Sequence, residues 1–447
     1  MKFEQLLPIL LKKAAEAGIE AAEAYYVSAD KFSASSREEK IEEYSVSTTH
    51  GLSFRGLYQG KMGYCSTQAL EKDAISFLVE GVKESALLNE NQQIEEIFQG
   101  EENYPQIETF SPELEKVTEE EKLSALIGME KAAKQENEYI HQVADNVIAT
   151  ISSDTHIANS YGLNIQYQKN IGYGYSAPVA RKEEKVSTGF SFGMGKSLEE
   201  MNLPFVGKQA ACRAVDMLDK KSIPSGKYST ILLNEAMVDL LATFSSNFSA
   251  DNAQKGLSLL AGKENQSIAA AEITMIDDPL MANGLNSRPF DDEGVACRYK
   301  EIVREGILQT LLHNRKTAKK GNTQSTGNGI KAGYSSPVAV QPTNFYIQPQ
   351  KGSLSDLLEE IQEGLVITEL EGLHSGANPI SGDFSLSAKG YRVEKGKKSF
   401  PVSQITVAGN FYTLLKEVKI VGEDLWFSLN GVGSPSVYVG EMSVAGL

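Results

Sequence analysis

The chain has 447 residues, 41% of them hydrophobic and 23% charged, which is the balance of an ordinary globular protein long enough for two or three domains. Its formal net charge of −16 argues against direct binding to a phosphate backbone, because such binding depends on Lys and Arg displacing counterions. The three cysteines, Cys65, Cys212 and Cys297, are odd in number and form no CxxC pair, which excludes a disulfide framework or thiolate zinc knuckle and suggests a reducing cytoplasm.

The opening residues "MKFEQLLPILLKKAAEAGIE" place Leu6, Leu7, Leu10, Leu11 and Ala14 on one helical face, so they read as an amphipathic helix rather than a signal peptide. No run of eighteen apolar residues follows, and no membrane span is expected. The alternating Tyr, Ser and Val of residues 22–48 and the glycine-punctuated "HGLSFRGLYQGKMGYCST" predict an antiparallel meander, followed by a helix over "EKDAISFLVEGVKESALL". Residues 89–112 are acidic and poor in apolar anchors, and read as a linker. Thr118 and Glu121 form a capping box that opens a helix to about Gln135, before a second strand-rich stretch over residues 147–194.

The two strand-rich stretches share a spacing. Gly51-Leu52, Phe54 and Gly63-Tyr64 recur as Gly162-Leu163, Ile165 and Gly174-Tyr175 at an offset of 111 residues, which suggests a duplicated hairpin. A helix from Leu198 to Leu218 then leads to a turn at Pro224, Ser225 and Gly226, the main boundary, beyond which strands dominate. The expected fold is α+β: an N-terminal helix-plus-meander unit (1–88), a linker (89–112), a second such unit (113–222) and a mostly antiparallel β-rich domain (223–447).

Chemistry is hard to find. None of the five histidines is followed by Glu, and no two lie within a helical turn, so no paired zinc ligands are evident. His374, in "LEGLHSGANP", has glycines nearby that would let a ligand approach, although a loop histidine bonded to a carbonyl is the simpler reading. Asp291, Asp292 and Glu293 could hold a metal or act as acid and base. Neighbouring turn carboxylates point apart, however, and a turn neutralised in part by Arg288 is favoured. "GNTQSTGNGIKAG" does not match a phosphate-cradling loop, and "ANSYG" around Ser160 lacks the spacing of a nucleophile elbow.

Taken together and in order, "RPFDDEG", "STGNG", "SGDFSLSAKGY" and "ITVAGN" resemble the TldD/TldE family, whose TldE members are also called PmbA and described as modulators of DNA gyrase. The resemblance implies a cytoplasmic proteolytic system in which a TldD-type subunit carries zinc on an HExxxH helix, completed by a cysteine near the C-terminus, and pairs with a TldE-type subunit. It implies unfolded or short peptides as substrates. Aligned after the strand "STILL", the motif positions hold Thr243, Phe244 and Phe248, and no cysteine follows Cys297. Threonine is a poor zinc ligand, and phenylalanine offers neither ligand nor base.

The chain is therefore expected to bind no metal itself, with zinc on a TldD-type partner. Met237, Leu240, Leu241, Phe244 and Phe248 form one apolar face, and Asn234 is placed to cap the helix start. Small polar residues on the other face, among them Ser245 and Asn247, together with His374, Ser375 and Asn378, are candidates for contact with a peptide or partner. Three functions compete: a non-catalytic TldE-type subunit, a hydrolase using Asp291, Asp292, Glu293 or His374 with an unrecognised metal, and a peptide-binding module acting alone or as a homodimer, capturing peptide at a sheet edge.

Overall fold

The computed structural model describes residues 2–89 and 96–447, so part of the expected linker, residues 90–95, lies outside the described residues. The N-terminal half runs α1 (Phe3–Glu16), β1 (Ala21–Arg37), β2 (Lys40–Tyr58), β3 (Lys61–Thr67), α2 (Lys72–Leu88), α3 (Pro112–Lys116), α4 (Glu119–Glu136), β4 (Ile140–Asn159), β5 (Asn164–Lys182), β6 (Lys185–Thr188), β7 (Ser191–Gly195), α5 (Leu198–Met201) and α6 (Leu203–Asp216). Thr118 and Glu121 make the expected capping box. The helix expected over 198–218 is broken at Asn202, whose φ of 44° lies in the left-handed region just before Pro204.

Both meanders belong to one antiparallel sheet, ordered β3-β2-β1-β4-β5-β6, with β7 also against β5. β1 and β4 join them, paired from Glu23 opposite Asn159 to Ser35 opposite Val147. The architecture repeats, but the offset of 111 residues does not mark it. Gly51 and Leu52 lie within β2, whereas Gly162 and Leu163 sit in the turn between β4 and β5.

Strand alternation gives the sheet two different faces. Ala22, Ala24, Leu52 and Phe54 pack under α1 and α2, and Phe32, Ala34 and Ile148 pack under α4 and α6. Tyr25, Ile157 and Tyr167 point the other way, into a cluster with Phe290 of the C-terminal half.

That half contains β8 (Gly226–Leu232), α7 (Asn234–Phe244), a 3-10 turn (Ser245–Phe248), α8 (Ala250–Gln254), β9 (Met275–Asp277), β10 (Lys300–Arg304), β11 (Ile307–Leu308), α9 (Arg315–Lys320), β12 (Gly329–Lys331), β13 (Val338–Val340), β14 (Phe345–Ile347), α10 (Leu354–Ile361), β15 (Gly364–Glu371), α11 (Leu373–Gly376), β16 (Asp383–Glu394), β17 (Lys397–Asn410), α12 (Phe411–Glu417), β18 (Ile420–Val421), β19 (Trp426–Phe427), β20 (Val432–Ser434) and β21 (Val437–Ala445). One sheet runs β17-β16-β15-β8-β21-β18, and a further pairing of β17 with β21 closes it on itself. A second runs β11-β10-β9-β14-β20-β19. The sheets are mostly antiparallel, as expected, with parallel exceptions at β8–β15 and β14–β20. A single core cluster takes residues from both sheets and from α7. No helix among the described residues is long and apolar enough to cross a membrane.

The described part of the expected linker is anchored. Ile97 is buried, the Tyr104 hydroxyl donates to the Gly294 carbonyl at 2.8 Å, and the Glu101 carboxylate accepts from the Ala296 amide at 3.0 Å. Residues 96–111 therefore strap the first unit to the C-terminal half. Elsewhere the packing is equally close: a Cβ at Gly63 would fall 1.9 Å from the Val82 carbonyl oxygen of α2. Gly63→Ala is expected to cost about 1–3 kcal/mol through overpacking, measured as a lowered midpoint of chemical unfolding.

Candidate functional site

α7 is built as the sequence suggests, with Met237, Leu240, Leu241 and Phe244 fully buried. It ends at Phe244, and the polar run that follows is a 3-10 turn, so Ser245–Asn247 do not carry the helix-propensity cost that a continuous helix would impose. Asn234 is not the cap. Leu233 holds that position, while the Asn234 side chain donates to the Asp424 carbonyl at 3.0 Å and accepts from the Glu235 amide. Glu235 in the first turn forms a two-pronged pair with Arg213, at 2.6 and 2.8 Å.

The three motif positions have distinct fates. Phe244 stacks on Phe411, with ring centroids 4.6 Å apart and planes 14° from parallel. Phe248 packs against Phe345 at 5.2 Å. Thr243 is half-buried, and its hydroxyl donates back to the Asp239 carbonyl at 2.8 Å. Zinc needs imidazole, thiolate or carboxylate donors, so these three residues do not fit it. Among the described residues, no three His, Cys, Asp or Glu side chains gather in a way that could hold a metal.

The proposed contact residues divide between surface and interior. His374 and Ser375 are exposed on α11, which lies against α7, and His374 makes no hydrogen bond among the described residues, contrary to the carbonyl bond expected of it. Asn378 is exposed, but its side-chain Oδ1 accepts from the amides of Ile380 and Ser381 and shapes its own loop. The half-buried Ser245 donates to the Ala242 carbonyl. Asn247 is only 1% exposed, beneath the segment whose Ser258 donates to its carbonyl, and it presents nothing to an outer groove.

Asp291, Asp292 and Glu293 form a turn, as favoured, but a buried one at the junction of the two halves. Asp291 accepts from the amides of Glu293 and Val295 at 3.0 Å and of Gly329 at 2.8 Å. Asp292 accepts from the Tyr25 hydroxyl at 3.3 Å, Arg288 at 3.4 Å and the Lys331 amide at 2.7 Å. Glu293 accepts from the Arg315 amide at 2.8 Å. The three carboxylates thus diverge onto different partners. Burial, then the Glu293 charge, pushes the Asp291 carboxyl well above the ordinary range. Beside them, Phe290 inserts edge-on against Tyr104 and Tyr167, with centroids at 5.8 and 5.1 Å.

A cavity of about 760 Å³ opens next to this junction, between the β2–β3 face and the C-terminal half. The N-terminal sheet contributes Ser53, Arg55 and Tyr64 to its wall, and the β12–β13 connection contributes Ser335, Ser336 and Pro337. That connection is held in place by Tyr334, whose ring lies over Gly51 so closely that a Cβ there would come within 2.2 Å. Four cations, Arg315, Lys316, Lys319 and Lys320, come from α9 alone, with Lys255, Lys331 and Arg55 completing seven against the carboxylates of Glu96, Asp251 and Glu293. Lys331 reaches across to Ser53 at 3.2 Å and lies 4.4 Å over the Tyr25 ring.

The sequence reading missed this site. Its signal is the run "HNRKTAKK", residues 313–320, a concentration of positive charge in an acidic chain.

Fold and sequence together define a metallopeptidase-family scaffold: models of the PmbA/TldA metallopeptidase domain 1, central domain and C-terminal domain match residues 22–86, 112–218 and 225–446. The chain belongs to the PmbA/TldD family. It is 26% identical over 420 residues to the metalloprotease PmbA of Escherichia coli O157:H7, spanning 93% of this chain and 90% of that one. A Thermotoga maritima structure described as a candidate modulator of a DNA gyrase is 34% identical, with a TM-score of 0.91 over 99% of this chain and 100% of that one. TldE from Thermococcus kodakarensis shares the fold at a TM-score of 0.92 and 22% identity, over 99% of this chain and 100% of that one.

Two outcomes follow from α7. Phe244→Glu is expected to lose the roughly 3–5 kcal/mol of a Phe truncation in a core, plus the cost of a buried carboxylate, whereas Thr243→His is tolerated; chemical denaturation of both variants checks this. Burial, then Glu235 and Glu369, raises the Asp239 carboxyl to about 6. Its neutral form is favoured in the fold, so the stability it contributes is present at low pH and lost as pH rises through about 6. Asp239→Asn should therefore raise the melting temperature at pH 8, with the gain shrinking toward pH 4.

Proposed function

We propose that this chain is the non-catalytic, TldE/PmbA-type subunit of a cytoplasmic TldD/TldE peptidase, supplying a wall of the chamber in which a zinc-bearing TldD-type partner cleaves unfolded or short peptides. One observation carries the reading: in a metallopeptidase-family fold, two of the three HExxxH positions are phenylalanines built into the core against Phe411 and Phe345. The absence of any cysteine after Cys297 supports it, because the family resemblance places a further ligand near the C-terminus. The alternative of an independent hydrolase at Asp291, Asp292 and Glu293 is disfavoured by their divergence onto separate hydrogen-bond partners.

The test mixes the purified chain with a TldD-type subunit from the same source, then measures complex formation by light scattering, zinc by elemental analysis and cleavage of an unfolded peptide. A complex whose zinc resides on the partner, and whose cleavage exceeds that of the partner alone, is expected. Failure to associate with no effect on cleavage overturns the proposal, as does metal-dependent cleavage by this chain alone.

A further inference from the structure

We propose that the cavity between β2 and α9 binds the carboxylate side chains of an acidic peptide, a substrate class that rests on the peptide-handling role proposed above. Its volume of about 760 Å³ falls within the range of built ligand sites. Its charge runs against the rest of the molecule: the whole chain carries −16, yet the cavity is lined by seven cations and three carboxylates.

Those carboxylates are already engaged from within. Glu96 pairs with Lys319 at 2.7 Å, Asp251 with Lys255 at 2.6 Å, and Glu293 accepts from the Arg315 amide at 2.8 Å. Arg55 is paired with Glu23 at 2.8 Å. What remains is cationic: among the described residues, Lys316 and Lys320 form no ion pair. The Arg315 guanidinium is held 4.8 Å above the Phe98 ring, donating to a backbone carbonyl. Burial, then the nearby Arg55 charge, lowers the Lys331 ammonium to about 8.

A cleft lined mainly by one sign of charge, with apolar surface from Tyr64, Pro337 and Val338 beside it, concentrates ligands of opposite charge and rewards charge-assisted hydrogen bonds. Clusters of this kind recognise acidic peptide motifs. A long nucleic acid would instead meet the field of the acidic exterior.

The experiment measures fluorescence anisotropy with the full chain and two labelled octapeptides, both amidated at the C-terminus, one carrying alternating Glu and the other Gln at the same positions. The Glu peptide should bind roughly tenfold tighter at low salt, with the gap narrowing as salt rises. The double substitution Lys316→Gln and Lys320→Gln, on the exposed side of α9, should bring both peptides to the same affinity without changing the melting temperature. Equal binding of the two peptides to the unmodified chain overturns the cationic assignment and leaves peptide binding standing. Binding of neither overturns the acidic-peptide proposal while the subunit reading stands or falls on complex formation and cleavage, and a Glu preference that survives the double substitution overturns the location.

Discussion

Central to the joining of the two halves is a buried turn in which three consecutive carboxylates are each drawn toward a different structural element. Buried carboxylates are costly unless hydrogen-bonded or paired, and each of these is met by a separate set of donors. Asp291 fixes β12 through the Gly329 amide, Asp292 ties Tyr25 of β1 to Arg288 and to Lys331, and Glu293 holds the first amide of α9. One short segment thereby positions the N-terminal sheet, the β12–β13 hairpin and the cation-bearing helix relative to one another. The cavity follows from it, because its walls are the elements that these carboxylates hold.

The same turn explains why an acidic sequence produces a basic interior surface. Asp291 and Asp292 are directed away from the lining onto their own donors and Glu293 alone of the three reaches it, while α9 displays four cations within six residues. The strand alternation of the N-terminal sheet does the complementary work. Phe54 is buried under the helices, whereas Ser53 and Arg55 on either side of it face the cavity.

Much of the architecture was legible where local physics governs. The α1 periodicity, the Thr118–Glu121 capping box and the turn at Pro224–Gly226 are short-range signals, and each stands where expected. The failures required long-range information. Nothing local in residues 96–111 reveals that Tyr104 meets Gly294, or that Ala296 donates to Glu101, so a strap read as a linker. The periodicity of the two meanders was visible, but not that β1 and β4 would pair along their length into one sheet. The residues at the positions aligned with the metal motif were readable one by one, whereas the cavity was not, because its lining comes from β2, β3, α8, α9 and the β12–β13 loop.

The stacking of Phe244 on Phe411 and the packing of Phe248 against Phe345 also constrain what this scaffold can become. Introducing His or Glu singly at either position would place a polar group against an aromatic wall before any metal could compensate for it. Steps through Phe244 or Phe248 therefore pass through a destabilised intermediate, and Phe411 and Phe345 would have to change as well, whereas a step at the half-buried Thr243 would not. The packing makes Phe244 and Phe248 costly to change, whereas substitution on the exposed side of α9 leaves the core intact.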